Sequence, residues 1–182
     1  MAQNLHNYSS EADLILGCKN LERAAQFALY QLFAGKMFSV CKRYLGNGPD
    51  AEDVLMEGFM KVYTKIDTYQ DQGSFEGWIR RIITNEALMK IRKNKLFKTI
   101  DIEEFWDLSM PENALMNLQI EAIEEIIHEM PIGYRTIFNL YAIEGYSHRE
   151  IAELLEISEG TSKSQLSRAR ALLQTKINQI QA

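Results

Sequence analysis

Cysteine and proline are scarce in this 182-residue chain, with Cys18 and Cys41 of the first and Pro49, Pro111 and Pro131 of the second. Two cysteines without CxxC spacing exclude a zinc cluster and a disulfide-built miniprotein, and each is read as a small core residue. No apolar run approaches the ~20 residues needed to cross a bilayer. The stretch Met1 to Asp13 has neither the basic start nor the apolar core of a signal peptide, so the expected location is the cytoplasm. Valines are few, and apolar residues recur at three and four rather than two, which leaves strands little support. HExxH, a nucleophile elbow and a phosphate-cradling glycine loop are all missing, so an all-helical enzyme is disfavoured. His6, His128 and His148 have no metal-like spacing, and neither a metal nor a cofactor is expected. What remains is an ordinary globular composition, 46% hydrophobic and 25% charged, in an all-α chain.

A net charge of -5 argues against nucleic acid only if charge is spread evenly, and it is not. Residues 76–98 carry Arg80, Arg81, Lys90, Arg92, Lys93, Lys95 and Lys98 against Glu76 and Glu86. Residues 160–182 carry Lys163, Arg168, Arg170 and Lys176 with no acid. Two separated basic stretches in an acidic chain suit two phosphate-facing surfaces or, more plainly, two solvated helix faces. Between them Thr99 to Asn117 breaks the helical pattern, contains Pro111, and holds acids at Asp101, Glu103, Glu104, Asp107 and Glu112. It reads as an acidic linker between two small helical domains, 1–98 and 118–182.

In the second domain Gly145 follows the periodic stretch Tyr134 to Glu144 and is expected to end a helix in the left-handed conformation. Ser147 and Glu150 then form a capping box worth ~1 kcal/mol. Ile151, Leu154 and Leu155 supply an inward face, Ile157 plugs a tight turn, and Ser158 caps a helix beginning near Glu159. That is a helix-turn-helix. On its second helix Ser162, Leu166, Ala169 and Leu173 share one face, although an apolar residue would pack better than Ser162. Ser164, Ser167, Arg168 and Ala171 point the other way, with Lys163, Gln165 and Arg170 on the flanks. Small hydroxyls around one arginine fit a major groove, where Arg matches guanine and Gln matches adenine; a purely structural helix pair would show the same spacing. His148 is read as a surface residue of the cap.

In the first domain Asp50 and Asp53 resemble a capping pair opening a helix that runs to about Ile66. Leu55, Phe59, Val62, Tyr63 and Ile66 gather on one side, and Asp53, Met56, Glu57, Met60 and Thr64 on the other. Two exposed methionines beside carboxylates suit a protein-docking stripe; an ordinary amphipathic helix is the alternative. A polar loop, Tyr69 to Phe75, precedes a helix bearing Trp78, Arg80, Arg81 and Asn85. Aromatic and basic residues interleaved in this way fit melted DNA, with rings stacking on bases and cations following the backbone. Trp78 fits a core with Ile79, Ile82 and Ile83 equally well.

These residues resemble the extracytoplasmic-function (ECF) group of sigma-70 class RNA polymerase sigma factors over nearly the whole chain. Asp50-Ala51-Glu52-Asp53-Val54-Leu55-Met56-Glu57-Gly58-Phe59 is similar to the region 2 helix that docks on the polymerase clamp. Phe75-Glu76-Gly77-Trp78-Ile79-Arg80-Arg81-Ile82 is similar to the helix that opens the minus-10 element. Tyr134-Arg135-Thr136 through Ser167-Arg168-Ala169-Arg170 is similar to the four-helix region 4, the minus-35 reader.

The resemblance implies a non-catalytic initiation factor with core RNA polymerase and promoter DNA as partners. An anti-sigma factor is a further partner that many relatives have. Asp53, Met56, Glu57 and Met60 would contact the clamp; the family commonly has Gln at the position of Met56. Tyr69, Trp78, Arg80, Arg81 and Asn85 would serve the minus-10 element, the loop Tyr69 to Ser74 holding an extruded base. Arg149, Lys163, Ser164, Gln165, Ser167 and Arg168 would serve the minus-35 element; many relatives carry Arg where Gln165 stands. The linker would run through the polymerase cleft. The rival reading is a stand-alone helix-turn-helix regulator, which predicts a symmetric dimer on a palindromic site.

Overall fold

The computed structural model describes residues 8–93 and 120–181, and among them there are helices and no strand. The first helices are α1 (Glu11–Lys19), α2 (Arg23–Leu45), α3 (Pro49–Lys65) and α4 (Phe75–Lys93). The rest are α5 (Ile120–Glu129), α6 (Ile132–Phe138), α7 (His148–Leu155) and α8 (Glu159–Gln181). The chain divides into two compact units, Met1–Lys90 and Ile91–Ala182, the division falling inside α4. The expected acidic linker, 99–117, lies outside the described residues. No helix among the described residues is long and apolar enough to cross a membrane.

The first unit is built on a shared interior of α2, α3 and α4. Leu29, Phe33, Met37, Val40 and Tyr44 meet Val54, Phe59 and Val62, with Phe75, Ile79, Ile83 and Ala87 from α4; all are buried. Each large side chain so buried contributes roughly 1.5–3 kcal/mol of transfer free energy. The rings pack edge to face, Tyr30 on Phe59 at 4.8 Å and Phe33 on Phe75 at 5.8 Å. At Gly58 a Cβ would lie 2.3 Å from Ile83 Cδ1, so any side chain there would force the buried isoleucine to shift. Both cysteines are core residues as expected: burial pushes the Cys18 thiol up to about 11 and that of Cys41 to about 12.

The expected capping pair at the start of α3 is not formed. Gly48 occupies the cap position with no side-chain bond, and Pro49 stands at the first helical position. Proline brings no N–H to satisfy there, so the need for a capping oxygen falls. The carboxylates turn instead to α4, where Lys90 Nζ lies 2.9 Å from Asp50 and 3.4 Å from Asp53. The hydrogen bond to Asp50 leads the interactions that hold the Lys90 ammonium above its usual range.

Helix α1 is capped by Ser10, whose side chain accepts from Asp13 N–H at 3.1 Å. It ends in a Schellman motif, with Glu22 N–H donating to Gly17 O and Leu21 N–H to Cys18 O, each at 3.0 Å. The left-handed position of that motif is filled by Leu21, φ 60°, with 72% of its surface exposed. A leucine there is strained and buries little, whereas glycine adopts the conformation freely. Leu21→Gly is therefore expected to stabilise the first unit by about 0.5–1 kcal/mol after the entropic cost of glycine in the unfolded chain, read as a rise in denaturant midpoint. An unchanged or lowered midpoint would show that the leucine makes contacts of its own.

In the second unit Ile126, Ile127, Met130 and Tyr134 pack on Ala169, Leu173 and Ile177 of α8. Helix α6 does not continue regularly to Glu144. It widens at Asn139–Ile143 into a π-helical turn closed by Glu144 N–H on Asn139 O at 2.9 Å. Gly145 follows at φ +77°, as the stop signal required.

Candidate nucleic-acid interface

Both halves of the capping box are present on α7: Glu150 N–H donates to Ser147 Oγ at 3.3 Å, and Ser147 N–H to Glu150 Oε2 at 2.8 Å. The turn is made by Glu156 in the left-handed conformation, φ 57°. Ser158 Oγ then accepts from Thr161 N–H at 3.0 Å and starts α8 where the sequence signals it. Ser162, Leu166, Ala169 and Leu173 are buried along one row of α8. Lys163, Ser164 and Ser167 are exposed, and Arg168 is half-buried.

The sequence reading of His148 and Ser162 needs correction. Ser162 is fully buried, and its Oγ lies 2.9 Å from His148 Nδ1. The imidazole is half-buried and stacked on Tyr141, centroids 4.6 Å apart. A hydroxyl in an otherwise apolar row is thus satisfied across the helix pair, tying α7 to α8. Burial, then Lys163, with Arg170 adding to them against Glu159, lowers the histidine pKa below its ordinary 6.5.

Because the folded state favours neutral His148, its contribution to stability is complete above the ordinary pKa and is lost as pH falls through the lowered one. Thermal unfolding compared between the parent and His148→Gln from pH 7.5 to 5 should show an extra acid loss in the parent. Parallel pH profiles would contradict the burial of a neutral ring.

The cations on these helices differ in what already engages them. Arg149 Nε bonds Glu153 at 3.2 Å, Lys163 faces Glu159 at 3.6 Å, and Arg80 bonds Glu76 at 3.1 Å. Arg81 and Arg168 make no ion pair or hydrogen bond among the described residues, and Arg81 is exposed. Gln165 is half-buried, and its Oε1 is buried without a hydrogen-bond partner among the described residues.

At the other candidate site, Tyr69 is 8% exposed. Its hydroxyl donates to Gly73 O at 2.9 Å, and Asp71 Oδ1 lies 3.2 Å away. From beneath, the ring shapes the 69–74 loop that the sequence reading assigns to the minus-10 element. The turn needs left-handed backbone at Asp71 (φ 59°) and Gly73 (φ 101°), and Ser74 Oγ caps α4 by accepting from Gly77 N–H at 3.1 Å. Trp78 is half-buried, stacked on Phe75 at 5.7 Å and tilted on Tyr69 at 5.5 Å. It belongs to a small aromatic cluster and keeps one part outside it. Arg81 is exposed and Asn85 half-exposed, one helical turn apart.

On α3 the two-faced pattern is realised. Leu55, Phe59, Val62 and Ile66 are buried, while Met56 and Met60 are 57% and 62% exposed, with Asp53, Glu57 and Thr64 also exposed. Two neighbours escaped the sequence reading. Glu86 of α4 is buried and bonds Lys61 at 2.6 Å, and Met89 is exposed with its sulfur 4.0 Å from Lys61 Nζ. Both lie at least 25 residues from Lys61, and no local pattern signals them.

A helix-turn-helix with an open arginine, and a helical unit with a thioether stripe beside a basic helix, define a DNA-reading protein built to dock on a larger one. Residues 29–97 match the family described as Sigma-70 region 2, and residues 120–173 match Sigma-70, region 4. The chain is 31% identical over 165 residues to the ECF RNA polymerase sigma factor SigW of Bacillus subtilis (strain 168), covering 84% of this chain and 88% of that protein. It is 28% identical to the ECF RNA polymerase sigma-E factor of Haemophilus influenzae (strain ATCC 51907 / DSM 11121 / KW20 / Rd), covering 82% and 85%.

Among solved structures, the sigma factor RpoE in complex with the anti-sigma factor NepR from Bartonella quintana shares the fold at TM-score 0.52 and 20% identity, covering 82% of this chain and 94% of that one. CnrH in complex with the cytosolic domain of CnrY does so at 0.50 and 18%, covering 91% and 95%. The chain belongs to the ECF group of sigma-70 family sigma factors. It is a non-catalytic subunit that binds core RNA polymerase and DNA and directs promoter-specific transcription initiation.

Proposed function

We propose a division of labour within this sigma factor, acting in the cytoplasm. Residues 1–98 dock on polymerase and serve the minus-10 element, 99–117 link, and 118–182 read the minus-35 element. Met56, Met60 and Glu57 form the docking stripe, with Asp53 contributing less because Lys90 already engages it. Arg81 and Asn85 serve the minus-10 strand from α4, and Trp78 walls the loop. Arg168 is the principal base reader, flanked by Lys163, Ser164 and Ser167, while Arg149 and Arg80 contact phosphate after exchanging their glutamate partners for it. An anti-sigma factor is the regulatory partner we propose, supported by the fold shared with a sigma factor solved in such a complex.

The observation that carries this reading is that Arg81 and Arg168, on the two basic helices, make no ion pair among the described residues, while Arg80, Arg149 and Lys163 each face a glutamate. Photo-crosslinkers at Met60, Arg81 and Arg168 test it in the holoenzyme on promoter DNA. Met60 should capture polymerase, Arg81 the minus-10 strand and Arg168 the minus-35 duplex. A swapped or absent pattern would overturn the assignment.

A further inference from the structure

The second unit contains a column of side chains of which helix-turn-helix reading places only Arg170, on the flank of the groove-facing surface. Ser162 of α8 meets His148 Nδ1 at 2.9 Å, His148 lies at 25° to Tyr141 with centroids 4.6 Å apart, and the Arg170 guanidinium carbon sits 5.6 Å from the Tyr141 ring centroid. The column joins three elements: the π-helical turn, the first residue of α7, and α8. Tyr141 lies within the widened turn, which is where such irregular turns tend to serve function.

Arg170 is exposed, and seven residues separate it from Lys163, which places both on one edge of α8 about 10 Å apart. Both cations face His148, against one acid there, Glu159. An exposed arginine ordinarily samples many rotamers, and ordering it opposes binding. A tyrosine face beneath the guanidinium attracts the cation and fixes its plane, leaving the N–H edge free for an acceptor. Cations along one edge of a helix that enters a groove meet the strand that borders the groove, and the acceptor there is phosphate.

We infer that Arg170 is a DNA phosphate contact and that Tyr141, held by His148 and Ser162, is its positioning residue. This rests on the reading that α8 enters the minus-35 groove. Arg170 thus adds grip without choosing bases, and the buried Ser162–His148 pair keeps the tyrosine in place under it.

The test uses holoenzyme of the full chain with core polymerase, on a linear promoter fragment selected by that holoenzyme from random DNA. Its dissociation constant is measured across salt concentrations for Arg170→Ala, Tyr141→Leu, Tyr141→Phe, the double variant Tyr141→Leu/Arg170→Ala, and Arg168→Ala. Arg170→Ala should weaken binding about 5- to 10-fold for every minus-35 sequence and reduce the log–log salt slope by about 1. Tyr141→Leu should give a smaller loss of the same kind, the double variant should be no weaker than Arg170→Ala, and Tyr141→Phe should bind like the parent.

An unchanged slope in Arg170→Ala overturns the phosphate contact, and independent, multiplying losses overturn the positioning role. If Arg168→Ala still weakens binding in a sequence-dependent way, only the inference fails; if it has no effect either, the reading of α8 fails. Should Tyr141→Leu unfold the second unit, Arg170→Ala still decides the phosphate contact through the slope, and Tyr141→Gln, which also removes the ring face, takes its place in the comparison with the double variant.

Discussion

Replacing Met56 and Met60 together by lysine is expected to lower affinity for core RNA polymerase at least ~100-fold while changing the chain's own stability by no more than about 0.5 kcal/mol. The two thioethers stand one helical turn apart on α3, more than half exposed, and the buried row Leu55, Phe59 and Val62 faces away from them. Both side chains are more than half exposed, so unfolding should register little of the change. In the proposed interface their apolar surface leaves water, and two ammonium groups there would be desolvated without partners. A ~100-fold loss corresponds to about 2.7 kcal/mol, which two central contacts of an interface supply. Binding of labelled chain to core polymerase reads the effect directly, with Asp67→Ala, exposed on the turn after α3, as the control. Full retention of affinity by the double lysine variant would place the docking surface elsewhere.

The second large effect belongs to Arg168. Removing its side chain should lower initiation about 10- to 100-fold at promoters that depend on a minus-35 element, and relax selectivity at one base pair of it. The guanidinium makes no ion pair or hydrogen bond among the described residues, and in the proposed reading its donor fork meets a guanine edge. Arg149→Ala and Lys163→Ala should cost less and act alike on all sequences, because each cation already has a glutamate within 3.6 Å and, in the proposed reading, meets phosphate rather than base. Run-off transcription on promoters differing at single minus-35 positions separates the two behaviours. Equal losses at every position for Arg168→Ala would make it a phosphate contact and not a reader.

What could be read in advance follows the reach of each interaction. The capping box of α7, the Gly145 stop, the Ser158 cap and the two faces of α3 depend on residues three or four apart, and the structure reproduces them. Departures come where distant residues compete for the same groups. Asp50 and Asp53 look like a local cap until Lys90, 37 residues beyond Asp53, offers a full charge. Ser162 looks like a packing fault until His148, 14 residues earlier, meets its hydroxyl. Tyr69 looks like a surface ring until Phe75 and Trp78 fold over it. In each case the residue is placed correctly on its helix or loop, and only its partner is missing.

Promoter binding is expected to require cooperation with polymerase, since an acidic chain with a few open cations has little phosphate grip of its own. The most direct measurement is the affinity for a selected promoter fragment at physiological salt, taken with the chain alone and with core polymerase, and followed by run-off transcription from the same fragment. Weak binding alone, tight binding with polymerase and a transcript of defined start are predicted. Tight, specific binding by the chain alone as a symmetric dimer, with no transcript when polymerase is added, would contradict it.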